Sequence, residues 1–511
     1  MTDWTAGYVA DIGYTFGYYL ELNPSRVKLA FTNVGLVCPE FGAACELGFG
    51  QGVSTNIHAA ASITHWSGTD FNPSQAGFAQ ELAAVAGSDA KLFDQAFDEF
   101  SNRCDLPEFD YIGLHGIWSW ISDENRAVIV DFIRRKLKVG GVLYISYNTQ
   151  PGWAAMVPMR DLLTGHAEVM GASGHGIIPR IDAALAFAEK LLATNPSYAK
   201  VNPQIAERVK KIKEQNRNYV AHEYFNRDWM PMSFADLGRW LEPAKLEFAA
   251  SAHYLDYVDA INLSNEQQTL LKEIPDAMFR QTVRDFMVNQ QFRKDYWVRG
   301  GRKMSTLEQS ENIRAQKVIL ASPSSDILLK ATGALGEASL SDAVYTPILE
   351  ALSDHKAKSI GQLEQLLKGR SITFAQITQA ILILVGVGHL YAVQDDGIIS
   401  KTKKRTDKLN AHLIQKARGS SEITYLASPV TGGGIAVGRF QQLFLLAFNL
   451  GKKQPAEWAQ VAWQMLQAQG QKILKDGKAL ETPEENVAEL TTQAEAFAAK
   501  QFPILKALQI A

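Results

Sequence analysis

Over the first 150 residues, short apolar runs alternate with helical spacings, the pattern of a parallel sheet flanked by helices. Ala43 to Leu47 reads as a first buried strand, followed by a glycine turn and a helix through His58 and Ala61. Ile63 to Asp70 reads as the second strand, Lys91 to Phe93 as the third, Phe109 to Leu114 as the fourth and Val142 to Tyr147 as the fifth. Asn72 offers a side-chain oxygen to the free amides of a helix carrying Phe78, Leu82 and Val85. Ser122 does the same for a helix with Val128, Ile129, Phe132, Ile133 and Leu137 near one face. Asp123 and Glu124 in its first turn suit the positive end of the helix dipole, and Gly140-Gly141 is expected to stop it. Five strands in this order predict an open, doubly wound, mostly parallel α/β sheet.

The pattern then changes. From Trp153 to Asn218 it is helical, and a second unit opens at Tyr219 with His222, Glu223, Tyr224 and Phe225. A helix over Phe234 to Leu241 and a strand around Leu246 to Ala250 follow, the pieces an open five-strand sheet still lacks. Residues 152–218 are therefore expected to be a helical insertion, after which the chain returns to finish the sheet. Residues 304–511 read as mostly helical. Leu363, Leu366 and Leu367, then Ile377, Ile381 and Leu384, mark two amphipathic stretches, and His389 to Val393 with Gly397 to Ser400 suggest a hairpin. Helix, helix, hairpin is a winged-helix pattern, followed by Lys401, Lys403, Lys404, Arg405 and Lys408 as a solvated surface. The expected division is 1–151 (ligand-binding core), 152–218 (helical cap), 219–303 (second unit, completing the sheet) and 304–511 (helical, winged-helix-like tail).

Composition narrows the function. The 511 residues carry 51 basic and 54 acidic side chains, a net charge of −3, which gives no overall attraction to nucleic acid or anionic membranes. Cys38, Cys45 and Cys104 are odd in number and lack CxxC spacing, which argues against a disulfide framework or a zinc knuckle. The N-terminal stretch has no basic head followed by an apolar run. The longest greasy stretch, Ala380 to Gly388, falls far short of the roughly 18–20 residues that span a bilayer. A cytoplasmic, multidomain protein is expected.

The chemistry gathers at strand ends. Glu46-Leu47-Gly48-Phe49-Gly50-Gln51-Gly52 occupies the first strand-to-helix turn, where ligands of open sheets bind and glycines let the backbone approach closely. A dinucleotide fingerprint beginning at Gly48 would need glycine where Val53 stands, and Glu46 would repel a pyrophosphate. A cationic ligand suits it better. Asp70, ending the second strand with Phe71 beside it, is placed to accept both hydroxyls of a ribose. A nucleoside with a positive end and no phosphate is S-adenosyl-L-methionine. Asp94, Ala96 and Phe97 follow the third strand, where adenine would lie, Phe97 stacking on it or simply filling core.

Two further motifs, Leu114-His115-Gly116-Ile117-Trp118-Ser119-Trp120-Ile121 and Ser146-Tyr147-Asn148-Thr149-Gln150-Pro151-Gly152-Trp153, carry a resemblance. The chain resembles bacterial class I methyltransferases, of Rossmann-like fold, that carry a methyltransferase regulatory domain. Members include protein-lysine methyltransferases acting on outer-membrane proteins. His222-Glu223-Tyr224 and Phe279-Arg280-Gln281 to Phe292-Arg293 look like the two ends of that domain. Phe49 departs from the cysteine common between the glycines, which leaves a backbone-binding role intact.

These motifs follow the fourth and fifth strands and should border the sulfonium. Methyl transfer is an in-line displacement for which the protein mainly aligns donor and acceptor. A lysine acceptor must be neutral, and an apolar aromatic pocket lowers its pKa from about 10.4 by desolvation. Trp118, Trp120, Tyr147 and Trp153 supply aromatic faces for cations, with core packing as the alternative for Trp118 and Trp120. His115 is a base or, preferably, a hydrogen-bonded residue on the donor side; Asn148 aligns the acceptor amine or caps a turn. Tyr14, Tyr18 and Tyr19 precede the first strand, either reaching the donor's carboxylate or packing as a helix. His222 and Glu223 have no companion at metal-ligand spacing, so no metal is expected, and Gly432-Gly433-Gly434 reads as a flexible connection. The expected function is methyl transfer to a lysine of a protein. The alternatives are a small metabolite or glycan acceptor, or a non-catalytic module with a nucleic-acid-contacting winged helix.

Overall fold

A computed structural model describes residues 5, 7–172 and 174–511; the start of the N-terminal stretch considered above lies outside the described residues. Seven strands form the central sheet: β1 (Ala43–Leu47), β2 (His65–Thr69), β3 (Lys91–Phe93), β4 (Phe109–Leu114), β5 (Leu137–Asn148), β6 (Leu246–Ser251) and β7 (Phe292–Arg299). Their order is β3-β2-β1-β4-β5-β7-β6. β1 to β5 run parallel, and β7 inserts antiparallel between β5 and β6. The reversal at β1/β4 puts the carboxyl ends of β1, β2 and β4 around one crevice, the topological switch point of an open α/β sheet. Residues after the helical stretch thus do return to the sheet, with two strands where one was expected.

Local chemistry accounts for most boundaries. Asn72 accepts from the amides of Ser74 and Gln75 at the head of Pro73–Ala86, and Ser122 accepts from Asn125 at the head of Asp123–Lys136. The glycine pair does not stop that helix. The strand begins already at Leu137, and Gly140-Gly141 lies within it, where the register against β4 slips between Phe109 and Tyr111. Gly140 takes φ +81°, so the pair makes an irregularity in a long strand rather than a helix end.

The helix Val53–Ala61 is buried on every residue, one side by the sheet and the other by the long helix Asp396–Lys416 of the C-terminal region. Its small residues Ala59, Ala60 and Ala61 permit that close approach on both sides. Val53, Ile57, Leu82 and Ala86 accordingly share one apolar core with Leu409, Leu413 and Leu426. Residues 157–224 form five helices around Trp153, Met156 and Ile181.

The C-terminal region corrects the hairpin. Helices Ile360–Leu366 and Phe374–Gly386 form, and the strand Leu390–Val393 follows. That strand pairs with the upstream Lys317–Leu320, and Gly397 to Ser400 begin the Asp396–Lys416 helix, with Asp395 and Asp396 at its positive end. The expected hairpin therefore does not form, because its second half is helical. The basic residues 401–408 lie on this helix, where Lys403 pairs with Asp407 and Arg405 donates to the Ser62 carbonyl. Gly433 and Gly434 are not a loose connection: they lie in the strand Gly433–Ala436, where a side chain would collide with Tyr18. Among the described residues no helix is long and apolar enough to cross a membrane.

Candidate active site

Two cavities meet at the carboxyl edge of the sheet. The first, of about 300 Å³, is walled by the turns that leave β1, β2, β3 and β4: Gly48 to Gln51, Asp70 to Asn72, Gln95 to Asp98 and His115 to Ile117. The second, of about 490 Å³, adds Asn148, Trp153, Tyr219, His222, Glu223 and Phe292. Both are lined by Tyr8, Tyr14, Tyr19, His115, Gly116 and Trp120, so the two spaces share one wall.

The first cavity is shaped by backbone. Gly48 and Gly50 adopt φ +72° and +58°, and a Cβ on Gly48 would stand 2.3 Å from Ile117 Cδ1. The Gly48 amide donates to the Thr69 carbonyl at 2.8 Å, tying the turn to the end of β2. Asp70 closes the loop: Oδ2 accepts from the Gly50 amide at 2.9 Å and Oδ1 from the Asn72 amide at 3.0 Å. Burial pushes its carboxyl up to about 7, against the pull of those two amides. Phe71, Ala96 and Phe97 stand on the same wall.

His115 lies between the two cavities. Its ring stacks on Tyr19 with centroids 3.6 Å apart, and Nδ1 is 2.8 Å from the Tyr144 hydroxyl. Burial lowers its pKa to about 3, so the imidazole is neutral near pH 7 and does not repel a cation. The Tyr14 and Tyr19 hydroxyls are hydrogen-bonded to each other and face both spaces. Asn148 is 1 % exposed at the end of β5, with its backbone N–H donating to Ser119 Oγ at 2.8 Å.

Several expected residues lie off the cavities, each for a visible reason. The Glu46 carboxylate is buried and accepts from Thr55, the donor that its burial requires; desolvation still raises its pKa to about 8. The acidic groups that do line the first cavity are Asp70, Asp98 and Asp228. Gly52 precedes the Val53–Ala61 helix at φ +66°, where a side chain would strike Ala79. Asp94 is exposed, and its neighbours Gln95 to Asp98 form the wall instead. Trp118 is wholly buried, with Nε1 donating to Met232 Sδ, so it is a core aromatic. Tyr147 is likewise in the core, its hydroxyl donating to Asp295 at 2.9 Å beside the buried Arg293. Tyr18 packs between His58 and Tyr425, away from both cavities. Trp120, Trp153 and Tyr14 do line the second cavity. Tyr8, Gln75 and Asn125 line the first cavity and carry no motif that singles them out in sequence, and Gln51 lines it from within the glycine turn.

Comparison with known proteins decides the family. A family model described as a predicted methyltransferase regulatory domain matches residues 216–299, which include β6 and β7. An uncharacterized protein of Synechocystis is 42 % identical over 512 residues, covering 99 % of each chain. The chain belongs to the family of this Synechocystis protein and carries the predicted methyltransferase regulatory domain. The chain also matches an uncharacterized protein of Rickettsia prowazekii, 32 % identical over 199 residues, 37 % of this chain and 76 % of that one. Among solved structures, PKMT2 from Rickettsia typhi in complex with AdoHcy superposes with a TM-score of 0.71 at 16 % identity, over 98 % of this chain and 100 % of that one. The fold is therefore that of class I methyltransferases, and the likeness extends through the five-helix insertion and the C-terminal region.

Proposed function

We propose that the chain transfers a methyl group from S-adenosylmethionine to the side-chain amine of a lysine on a protein. The observation that carries this reading is the pair of contiguous cavities, one walled by strand-end turns and one by aromatic rings, meeting at His115 and Tyr19. The residues of the first cavity fit the donor. Asp70 offers carboxylate oxygens to a ribose, Phe97 and Phe71 offer apolar faces to adenine, and the glycines admit the methionine portion beside Tyr14 and Tyr19. When bound, the donor supplies an electrophilic methyl carbon. The chain's own part is to align the amine with it and to exclude water. Trp120 and Trp153 give the second cavity cation-attracting faces, and Asn148 ends the strand that points into it.

Support for a protein acceptor is twofold. The second cavity reaches the surface at the exposed Gln291, which admits an extended side chain from outside. The solved relative of the same fold is a protein lysine methyltransferase with AdoHcy bound. In this reading residues 1–151 bind the donor, 152–218 and 219–303 wall the acceptor site, and 304–511 brace the core. Cys38, Cys45 and Cys104 are unpaired, which suits a reducing, cytoplasmic compartment.

Calorimetric titration with AdoHcy tests the donor site, and micromolar affinity is expected. Radiolabelled methyl transfer into a cell lysate, read separately in protein and small-molecule fractions, tests the acceptor. Label confined to small molecules would overturn the protein reading and leave a metabolite amine in its place.

A further inference from the structure

Aromatic rings desolvate an amine without taking its proton, and His115, its pKa lowered to about 3 by burial, is a weak base. A lysine enters as an ammonium, and its deprotonation near pH 7 costs roughly 4–5 kcal/mol unless a group in the site takes the proton. The second cavity holds such a group. Glu223, on the helix Arg217–Tyr224, lines it opposite the shared wall of Tyr14, Tyr19 and His115. Beside it, Asn148 favours the Glu223 anion, yet its Nδ2 is fully buried and completes no hydrogen bond of ordinary geometry.

We propose that Glu223 is the acceptor-side base, its carboxylate receiving the lysine ammonium and taking one proton from it, with Asn148 holding the group in place. This rests on the amine-transfer reading above and adds the residue that makes the amine reactive. One N–H bond breaks and its proton passes to a Glu223 oxygen. The freed lone pair forms the N–C bond, the C–S bond breaks, and its electron pair stays on sulfur. The positive charge moves from sulfur to the methylated nitrogen, and Glu223 releases its proton to solvent.

The other titratable groups facing this space cannot take that role. His222, with Nε2 on the Ile12 carbonyl at 3.0 Å, and His115, with Nδ1 beside the Tyr144 hydroxyl, are both made weaker bases than Glu223 by burial. Tyr8, Tyr14, Tyr219 and Tyr224 have raised pKa values and stay protonated. Arg208, whose guanidinium lies 3.9 Å over the Trp153 ring, favours the Glu223 anion. Burial meanwhile raises the Glu223 carboxyl to about 7, matched to proton uptake at neutral pH.

The test uses n-butylamine as the lysine side chain, titrated into full-length protein saturated with AdoHcy and read by tryptophan fluorescence and ligand-observed NMR. Wild type should bind roughly tenfold more tightly at pH 8 than at pH 6, as Glu223 ionises. Glu223→Gln should bind at least tenfold more weakly at pH 8, with no pH step, while AdoHcy affinity stays within twofold. Equal butylamine binding by the variant would overturn the assignment, and so would loss of AdoHcy binding, which marks a purely structural carboxylate. Wild type that holds AdoHcy but no butylamine at any pH overturns the amine-acceptor reading itself.

Discussion

The proposed donor side and the proposed acceptor side of the site are built in opposite ways. The donor side comes mainly from consecutive strand-end turns between Gly48 and Ile117, and backbone conformation shapes it. The acceptor side joins Asn148, Trp153, Glu223 and Phe292 from separate stretches, and side chains shape it. A switch point in an open sheet creates a crevice from topology alone. A specific acceptor surface has to be assembled across the sheet by the inserted helices and by β7. The first can be kept while the second is varied, which is how one fold serves many acceptors.

Variants can separate the two sides, and the largest effect is expected at Asp70. Asp70→Ala leaves the Gly50 and Asn72 amides unpaired and removes the ribose acceptor, and should cost about 1–3 kcal/mol of AdoHcy affinity by calorimetry. Unchanged affinity would break the donor assignment. The same group sets a pH dependence. Its carboxyl is raised to about 7, and two ribose hydroxyls are accepted more strongly by the anion than by the acid, which keeps one oxygen as a donor, so affinity is full above pH 7 and falls as pH drops through it. Asp70→Asn should flatten that slope. Next comes Gly48→Ala, which forces a side chain to φ +72° against Ile117 and should weaken AdoHcy by about tenfold. On the acceptor side, Trp153→Leu should lower methyl transfer about tenfold through loss of its cation-attracting face, with AdoHcy affinity within twofold. Parallel loss of both activities would show the two sides to be one unit. The smallest effect belongs to Tyr147→Phe. It removes one buried hydrogen bond to Asp295, should cost about 1 kcal/mol of stability in denaturant, and should spare methyl transfer.

Much of the fold was legible because its signals are local. Asn72 and Ser122 cap the helices they were expected to cap, and four of the five strands in the first 150 residues lie within two residues of their expected bounds. The fifth begins early because a glycine pair reads as a helix stop, whereas pairing with β4 on either side of it, Leu137 with Phe109 and Val142 with Tyr111, carries the strand through. The expected wing failed for a related reason: the partner of Leu390–Val393 lies some 70 residues upstream, beyond any local pattern. Within the site, the Gly48 turn and Asp70 came from spacing along adjacent strands. Tyr147 and Asn148 are neighbours in sequence, but strand alternation sends the Tyr147 hydroxyl to Asp295 in the core while Asn148 lines the cavity. Glu223 gave little signal, because one acid on a short helix acquires meaning only when the insertion folds it against β5.

The Tyr18 anchor carries a consequence for the ends of the chain. The segment from Tyr14 to Tyr19 roofs both cavities, and near its end Tyr18 is clamped by Tyr425 and by Gly433 and Gly434, where no bulkier residue fits. A tail more than 400 residues away in sequence thus acts as the latch on the roof of the site. Trimming the chain after the regulatory domain would keep nearly every wall of the donor space and still leave that roof unfastened.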